Sequence, residues 1–223
     1  MAVTLAFDVY GTLIDTHGVV AKLGEIVGDR ATDFSSTWRD KQLEYSFRRG
    51  LMQNYENFAV CTRDALDYTC RRYGLEIRQA DKQALLDIYR ELPAFDDVHG
   101  ALTALSARDC RSYAFSNGSE DAVETLLATA GIRDLFHGVV SCDDLRTFKP
   151  NPAVYAYFLT RAQASASKAW LISGNPFDVI GAISAGMRGA WVRRSADSIF
   201  DPWGIEPTVT VSGLDELAGS IGV

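Results

Sequence analysis

Six short apolar runs recur along the chain, at residues 3–7, 112–115, 138–141, 169–172, 190–192 and 208–211. Helical patterns separate the later ones, at 120–130, 153–162 and 179–185. Runs this short, set between helical patterns, read as strands. Strands alternating with helices assemble as a parallel sheet with helices packed on its two faces. The region from 15 to 97 departs from this pattern. Helical stretches fall there at 19–27, 34–52, 58–73 and 80–92, and no run reads as a strand. Inserted after the first strand, such a block stands above the carboxyl ends of the strands, where open α/β sheets place their ligand crevice.

The expected fold is α/β: a parallel-sheet, Rossmann-like core from residues 1–14 and 98–223, with an inserted helical cap domain at 15–97. A chain of 223 residues is long enough for both parts. The net charge of -7 argues against nucleic acid or an anionic membrane as partner, although a local Arg and Lys pocket still admits a small anion. Cys61, Cys70, Cys110 and Cys142 form no CxxC pair, and His17, His99 and His137 are scattered, so buried reduced thiols and no metal site are expected. No segment is apolar enough for a membrane span, and the N-terminal apolar stretch has no basic region before it and is interrupted by Asp8. A cytoplasmic protein is expected.

Four short segments fall where predicted strands end. The first, Asp8-Val9-Tyr10-Gly11-Thr12, places a carboxylate at the carboxyl end of the first strand, and Gly11-Thr12 forms a turn beyond it. The second, Phe115-Ser116-Asn117-Gly118-Ser119, changes from strand to helix through small polar residues. The third is Lys149-Pro150-Asn151-Pro152, with Pro152 suited to the first turn of a helix. The fourth is Ser173-Gly174-Asn175-Pro176-Phe177-Asp178. Singly, each has an ordinary reading as a cap or a turn. In a parallel sheet all four converge on one crevice.

Together they resemble the four motifs of the haloacid dehalogenase superfamily, over nearly the whole chain. The superfamily's first motif holds a nucleophilic Asp in such a strand-end turn. Its phosphatases carry a second Asp two residues on, where this chain has Tyr10. The cap segment Trp38-Arg39-Asp40-Lys41-Gln42-Leu43-Glu44-Tyr45 is similar to the cap signature of the L-2-haloacid dehalogenases, which the phosphatases lack. Arg39, Leu43 and Phe47 are four apart and share one helix face, which puts a guanidinium among apolar side chains.

The resemblance implies an (S)-2-haloacid dehalogenase, a hydrolase that converts short L-2-haloalkanoic acids to D-2-hydroxy acids. It implies that Asp8 attacks C2 from the back, giving an ester with inversion. The substrate carboxylate needs donors, for which Ser116, Asn117 and the Val9 and Tyr10 N–H groups are candidates, with Lys149 balancing charge. Arg39, Asn117 and the edge of Phe177 are candidates for a halide cradle, with Leu43 and Phe58 beside the substrate. Asp178 is placed on the hydrolytic water, with Thr12, Ser173 and Asn175 holding the network and Tyr155 supporting Lys149. No cofactor or metal is implied, the partner is a small 2-haloacid, and the family tends to form homodimers through the cap. The last motif departs from the common pattern: many relatives have Ser where this chain has Gly174, and Ala-Trp in place of Pro176-Phe177. Two other readings compete: a phosphatase-like hydrolase using Mg²⁺, against which Tyr10 stands, and a non-catalytic carboxylate-binding protein, which would not need the hydrolytic residues.

Overall fold

A computed structural model describes residues 2–223. Among them, β1 (Val3–Asp8), β2 (Cys110–Ser116), β3 (Gly138–Ser141), β4 (Ala169–Ser173), β5 (Arg188–Val192) and β6 (Val209–Val211) form one sheet in the order β3-β2-β1-β4-β5-β6. All five pairings are parallel. From β1 the chain builds outward through β2 and β3 to one edge, then returns to β4 on the other side. The order therefore reverses beside β1, the switch point at which such sheets open a crevice. Asp8 lies opposite Phe115, and Ser173 and Ser116 end the two strands flanking β1.

Both faces of the sheet are covered. Leu5 and Phe7 point to one side and pack with Val123, Leu126 and Leu102. Ala6 points to the other, among Phe115, Tyr155, Phe158 and Leu171. The covering helices are α5 (Val98–Ser106), α6 (Glu120–Thr129), α7 (Pro152–Arg161), α8 (Pro176–Ser184) and α9 (Leu217–Ile221). Each fully buried large apolar side chain contributes roughly 1.5–3 kcal/mol relative to exposure.

Between β1 and α5 lie four α-helices and no named strand: α1 (Val19–Val27), α2 (Ala31–Met52), α3 (Phe58–Arg72) and α4 (Gln79–Ile88). Trp38 anchors α2 on α3, being fully buried with its Nε1 donating to the Thr62 carbonyl at 2.8 Å. The chain's two passes between sheet and helices run side by side. Asp15 N donates to Pro93 O at 2.9 Å, and Phe95 N to Leu13 O at 3.0 Å.

Two expectations change. The helix read over 80–92 stops at Ile88, because the residue before Pro93 is forced out of helical geometry. Helix α5 forms over Val98–Ser106, where no helical stretch is expected, and its N-cap Asp97 makes no capping hydrogen bond. Other element ends move by a few residues. All four cysteines are free and buried, and no helix is long and apolar enough to cross a membrane.

Candidate active site

Asp8 ends β1 with its side chain almost enclosed. Its two oxygens are treated differently. Oδ2 accepts three hydrogen bonds, from Thr12 Oγ1 at 2.8 Å, Asn175 Nδ2 at 2.7 Å and Ser173 Oγ at 3.1 Å. Oδ1 accepts one, from Lys149 Nζ at 3.1 Å. The donors are themselves fixed. Thr12 Oγ1 accepts from Gly174 N at 2.8 Å, Ser173 Oγ accepts from Asn175 N at 3.0 Å, and Asn175 Nδ2 also donates to Tyr10 O at 3.1 Å. Gly11 turns the loop in the left-handed region, at φ 80°. Gly174 is bare for a steric reason: a Cβ there would stand 2.4 Å from the Gly11 carbonyl oxygen. This backbone therefore has no room for the serine that many relatives carry at that position.

Lys149 is fully buried, and its ammonium spends three donors on Asp8, the Phe115 carbonyl at 2.8 Å and Asp178 Oδ2 at 2.7 Å. Tyr155 donates its hydroxyl to Asp178 Oδ1 at 2.8 Å. Burial would raise the Asp8 carboxyl, but the Lys149 charge and the donors Thr12, Lys149 and Asn175 outweigh it, so Asp8 lies below the ordinary carboxylate value. For Asp178 burial dominates the pull of Lys149, pushing its pKa up to about 6. Burial works against the Lys149 charge, yet Asp178 and Asp8 together raise its pKa. One ammonium thus serves two carboxylates in a dry setting.

Facing Asp8 are groups with unused hydrogen-bonding capacity. Ser116 Oγ accepts from Gly118 N at 3.1 Å and keeps its own proton free. Asn117 Oδ1 accepts from Lys149 N at 2.9 Å, while its Nδ2 has no acceptor among the described residues. Val9 is buried and its carbonyl closes the turn by accepting from Leu13 N and Ile14 N, both at 3.0 Å. The Tyr10 N–H takes no part in that turn. Its ring packs 5.9 Å from Phe58 and 6.5 Å from Tyr89, and burial pushes its hydroxyl pKa up to about 12.

The helical segment brings Arg39 over the same loop, with Nη2 donating to Tyr10 O at 3.4 Å and Nη1 to Gln42 Oε1 at 2.6 Å. Phe58 starts α3, where Asn57 caps the helix by accepting from Val60 N. Phe177, in the first turn of α8, meets Phe47 of α2 edge-on at 5.0 Å. Leu43 lies half-buried one turn beyond Arg39 on α2. A cleft of about 440 Å³ adjoins the loops, lined by Tyr10, Phe58, Leu86, Tyr89, Gly118 and Ala122 among others; Asp8 does not line it.

Asp8, Thr12, Lys149, Ser173, Asn175, Asp178 and Tyr155 therefore form one hydrogen-bonded cluster. Ser116 and Asn117 lie at the end of β2 beside it, and Arg39 reaches its rim. Sequence reasoning missed the Phe115 carbonyl, Gln42 and Phe47 as partners of site residues. Gln42 and Phe47 sit at helical spacings from Arg39 that point to them, whereas a backbone carbonyl leaves no mark in a side-chain pattern.

A family model described as a haloacid dehalogenase-like hydrolase matches residues 3–186. The chain is 36% identical over 213 residues to (S)-2-haloacid dehalogenase 2 of Pseudomonas sp. strain CBS-3, covering 96% of this chain and 93% of that protein. It is 35% identical to haloacetate dehalogenase H-2 of Moraxella sp. strain B, over 98% and 97% of the two chains. The L-2-haloacid dehalogenase of Xanthobacter autotrophicus, solved with chloropropionic acid covalently bound, superimposes with a TM-score of 0.90 at 30% identity, over 100% of this chain and 99% of that one. The chain belongs to the haloacid dehalogenase-like hydrolases and, among them, to the L-2-haloacid dehalogenase enzymes.

Proposed function

We propose that this enzyme removes halide from short L-2-haloalkanoic acids by two displacements, first at C2 of the substrate and then at the carboxyl carbon of Asp8. The observation that carries this reading is the asymmetry of Asp8. Oδ2 is saturated by three donors, and Oδ1 meets only Lys149, which leaves it a lone pair for attack. A carboxylate held below its ordinary pKa is ionised at neutral pH, as a nucleophile must be. The covalently bound chloropropionic acid of the Xanthobacter relative supports a covalent ester intermediate on this fold.

The substrate carboxylate docks on Ser116 Oγ and the Tyr10 N–H, two donors beside Asp8 that are left without acceptors. Oδ1 attacks C2 from the back, the C2–halogen pair of electrons departs with the halide, and an Asp8 ester remains with C2 inverted. Negative charge develops on the halogen, and Arg39 and Asn117 Nδ2 receive it, with Phe177 at the wall. Water then attacks the ester carbonyl carbon. Asp178 takes the water proton, Thr12, Ser173 and Asn175 stabilise the oxygen on which charge collects, and the 2-hydroxy acid leaves with Asp8 restored. Residues 15–97 act as the cap that closes over these steps.

No step calls for a metal. Halide leaves without a proton, and the position at which a phosphatase of the superfamily carries its second acid holds Tyr10, which offers no carboxylate. L-2-chloropropionate should yield D-lactate at a rate unchanged by EDTA. Retained configuration, or activity lost with EDTA and restored by Mg²⁺, would overturn the scheme in favour of a metal-assisted hydrolase.

A further inference from the structure

Arg194 follows β5, far in sequence from every motif residue, and its guanidinium is turned into the neck between sheet and helical segment. Nη2 donates to the Thr12 carbonyl at 2.6 Å and Nη1 to Asp97 Oδ2 at 2.7 Å. The guanidinium lies over the Phe95 ring at 4.2 Å, and Asp97 Oδ2 also accepts from Leu214 N at 2.7 Å. Thr12 is fully buried, and among the described residues Arg194 is the partner of its carbonyl.

The orientation of the guanidinium is informative. An Arg beside an Asp ordinarily forms a two-pronged pair. Here Arg194 Nε and Asp97 Oδ1 are both buried without a partner. One prong has been given up, and the freed Nη2 is spent on Thr12. The guanidinium therefore holds Thr12 at the expense of a second prong to Asp97.

Thr12 is where that hold acts on the chemistry. Its hydroxyl donates to Asp8 Oδ2 and accepts from Gly174 N. The carbonyl of the same residue is clamped by Arg194, and the next residue, Leu13, receives the Phe95 N–H of the returning chain. We propose that Arg194 is a positioning residue for dehalogenation: by fixing Thr12 against the neck at Asp97 and Phe95, it fixes the Oδ2 side of Asp8 and aims Oδ1 at the substrate. The inference rests on the reading of Asp8 as nucleophile.

The test compares Arg194→Gln, Arg194→Lys and Asp97→Asn with the wild type in single-turnover quench experiments with L-2-chloropropionate, following halide release and the Asp8 ester by mass spectrometry. In Arg194→Gln the plateau rate of ester formation should fall roughly tenfold to a hundredfold, as expected for a displaced reacting group, while half-saturation moves by less than about twofold. Arg194→Lys keeps the charge but cannot reach both acceptors, so its rate should lie between the two. Asp97→Asn removes the charge that anchors the guanidinium but leaves the bond to the Thr12 carbonyl, so its rate should fall less than that of Arg194→Gln. A wild-type plateau in Arg194→Gln overturns the proposal, as does a loss in Asp97→Asn equal to that in Arg194→Gln, which would make the effect a general loosening of the neck. Should Arg194→Gln not fold, the Lys variant decides: a wild-type rate there overturns the proposal. Absence of the Asp8 adduct in the wild type instead contradicts the ester itself, and the halide-release rates of the same variants still report on Arg194.

Discussion

Around Asp8 every donor stands at a strand end or in the loop beyond it, and most are pinned by a second bond. On the opposite side Arg39 hangs from the Tyr10 carbonyl at 3.4 Å and from Gln42, a neighbour on its own helix. In the proposed scheme the two sides have different tasks. Groups that act on Asp8 must not move between the two displacements, because each reuses the same carboxylate, so a sheet with a fixed register carries them. The group that meets the halide faces atoms of different sizes, and a long side chain from a separate helical segment adapts to them. Rigidity is placed where one carboxylate serves both displacements, and latitude where the ligand varies.

If that division holds, the largest effect short of removing Asp8 comes from the core side. Asp178→Asn should slow turnover roughly a hundred- to ten-thousand-fold, the range for a lost general base, and the Asp8 ester should accumulate. The pH dependence separates the half-reactions. Asp178, pushed up to about 6 by burial, must be ionised to accept the water proton, so ester hydrolysis should fall as pH drops through about 6. Ester formation depends on Asp8, held below the ordinary range, and should persist at more acid pH. If Asp178→Asn neither turns over nor accumulates ester, Asp178 serves the first displacement through Lys149.

On the cap side, Arg39→Ala should lower kcat roughly a hundred- to a thousand-fold, as for a lost preorganised donor to developing charge. The loss should be larger for a fluoro-acid than for a bromo-acid, because fluoride depends more on charge-assisted hydrogen bonds. Equal losses for both would place Arg39 on the carboxylate instead, and bromide release at the wild-type rate would make it a seam residue. The smallest effect is expected at the wall. Phe47→Leu removes an edge-on aromatic pair with Phe177, worth about 0.5–1.5 kcal/mol. It should change kcat/KM by up to about tenfold, more for 2-chlorobutyrate than for chloroacetate. A uniform change across chain lengths would detach the pair from substrate size.

The same contrast explains what could be read before the structure. The core side was legible because its residues fall at the ends of runs whose periodicity marks strands, and a parallel sheet has only one end at which Asp8, Ser116, Lys149 and Asp178 can meet. Arg39 was legible through helical spacing and resemblance to a cap signature. What stayed hidden depends on contacts that leave no local pattern. Arg194 reaches Thr12 across most of the chain, the Phe115 carbonyl is backbone, and the need for glycine at 174 arises from the Gly11 carbonyl against it. The cluster was also read as a set of side chains. That Asp8 Oδ2 is saturated and Oδ1 nearly free is a matter of tenths of an ångström, beyond what spacing encodes.

Asp8 as the attacking group is the centre of the account, and isotope placement tests it directly. In a single turnover in ¹⁸O-water with enzyme in excess over L-2-chloropropionate, the oxygen joined to C2 should come from Asp8, so the lactate should carry no label. The label should appear in the Asp8 carboxylate, and later turnovers should release it into product. Label in the lactate from the first turnover would show water attacking C2 itself, with Asp8 as its base, and the ester would be contradicted.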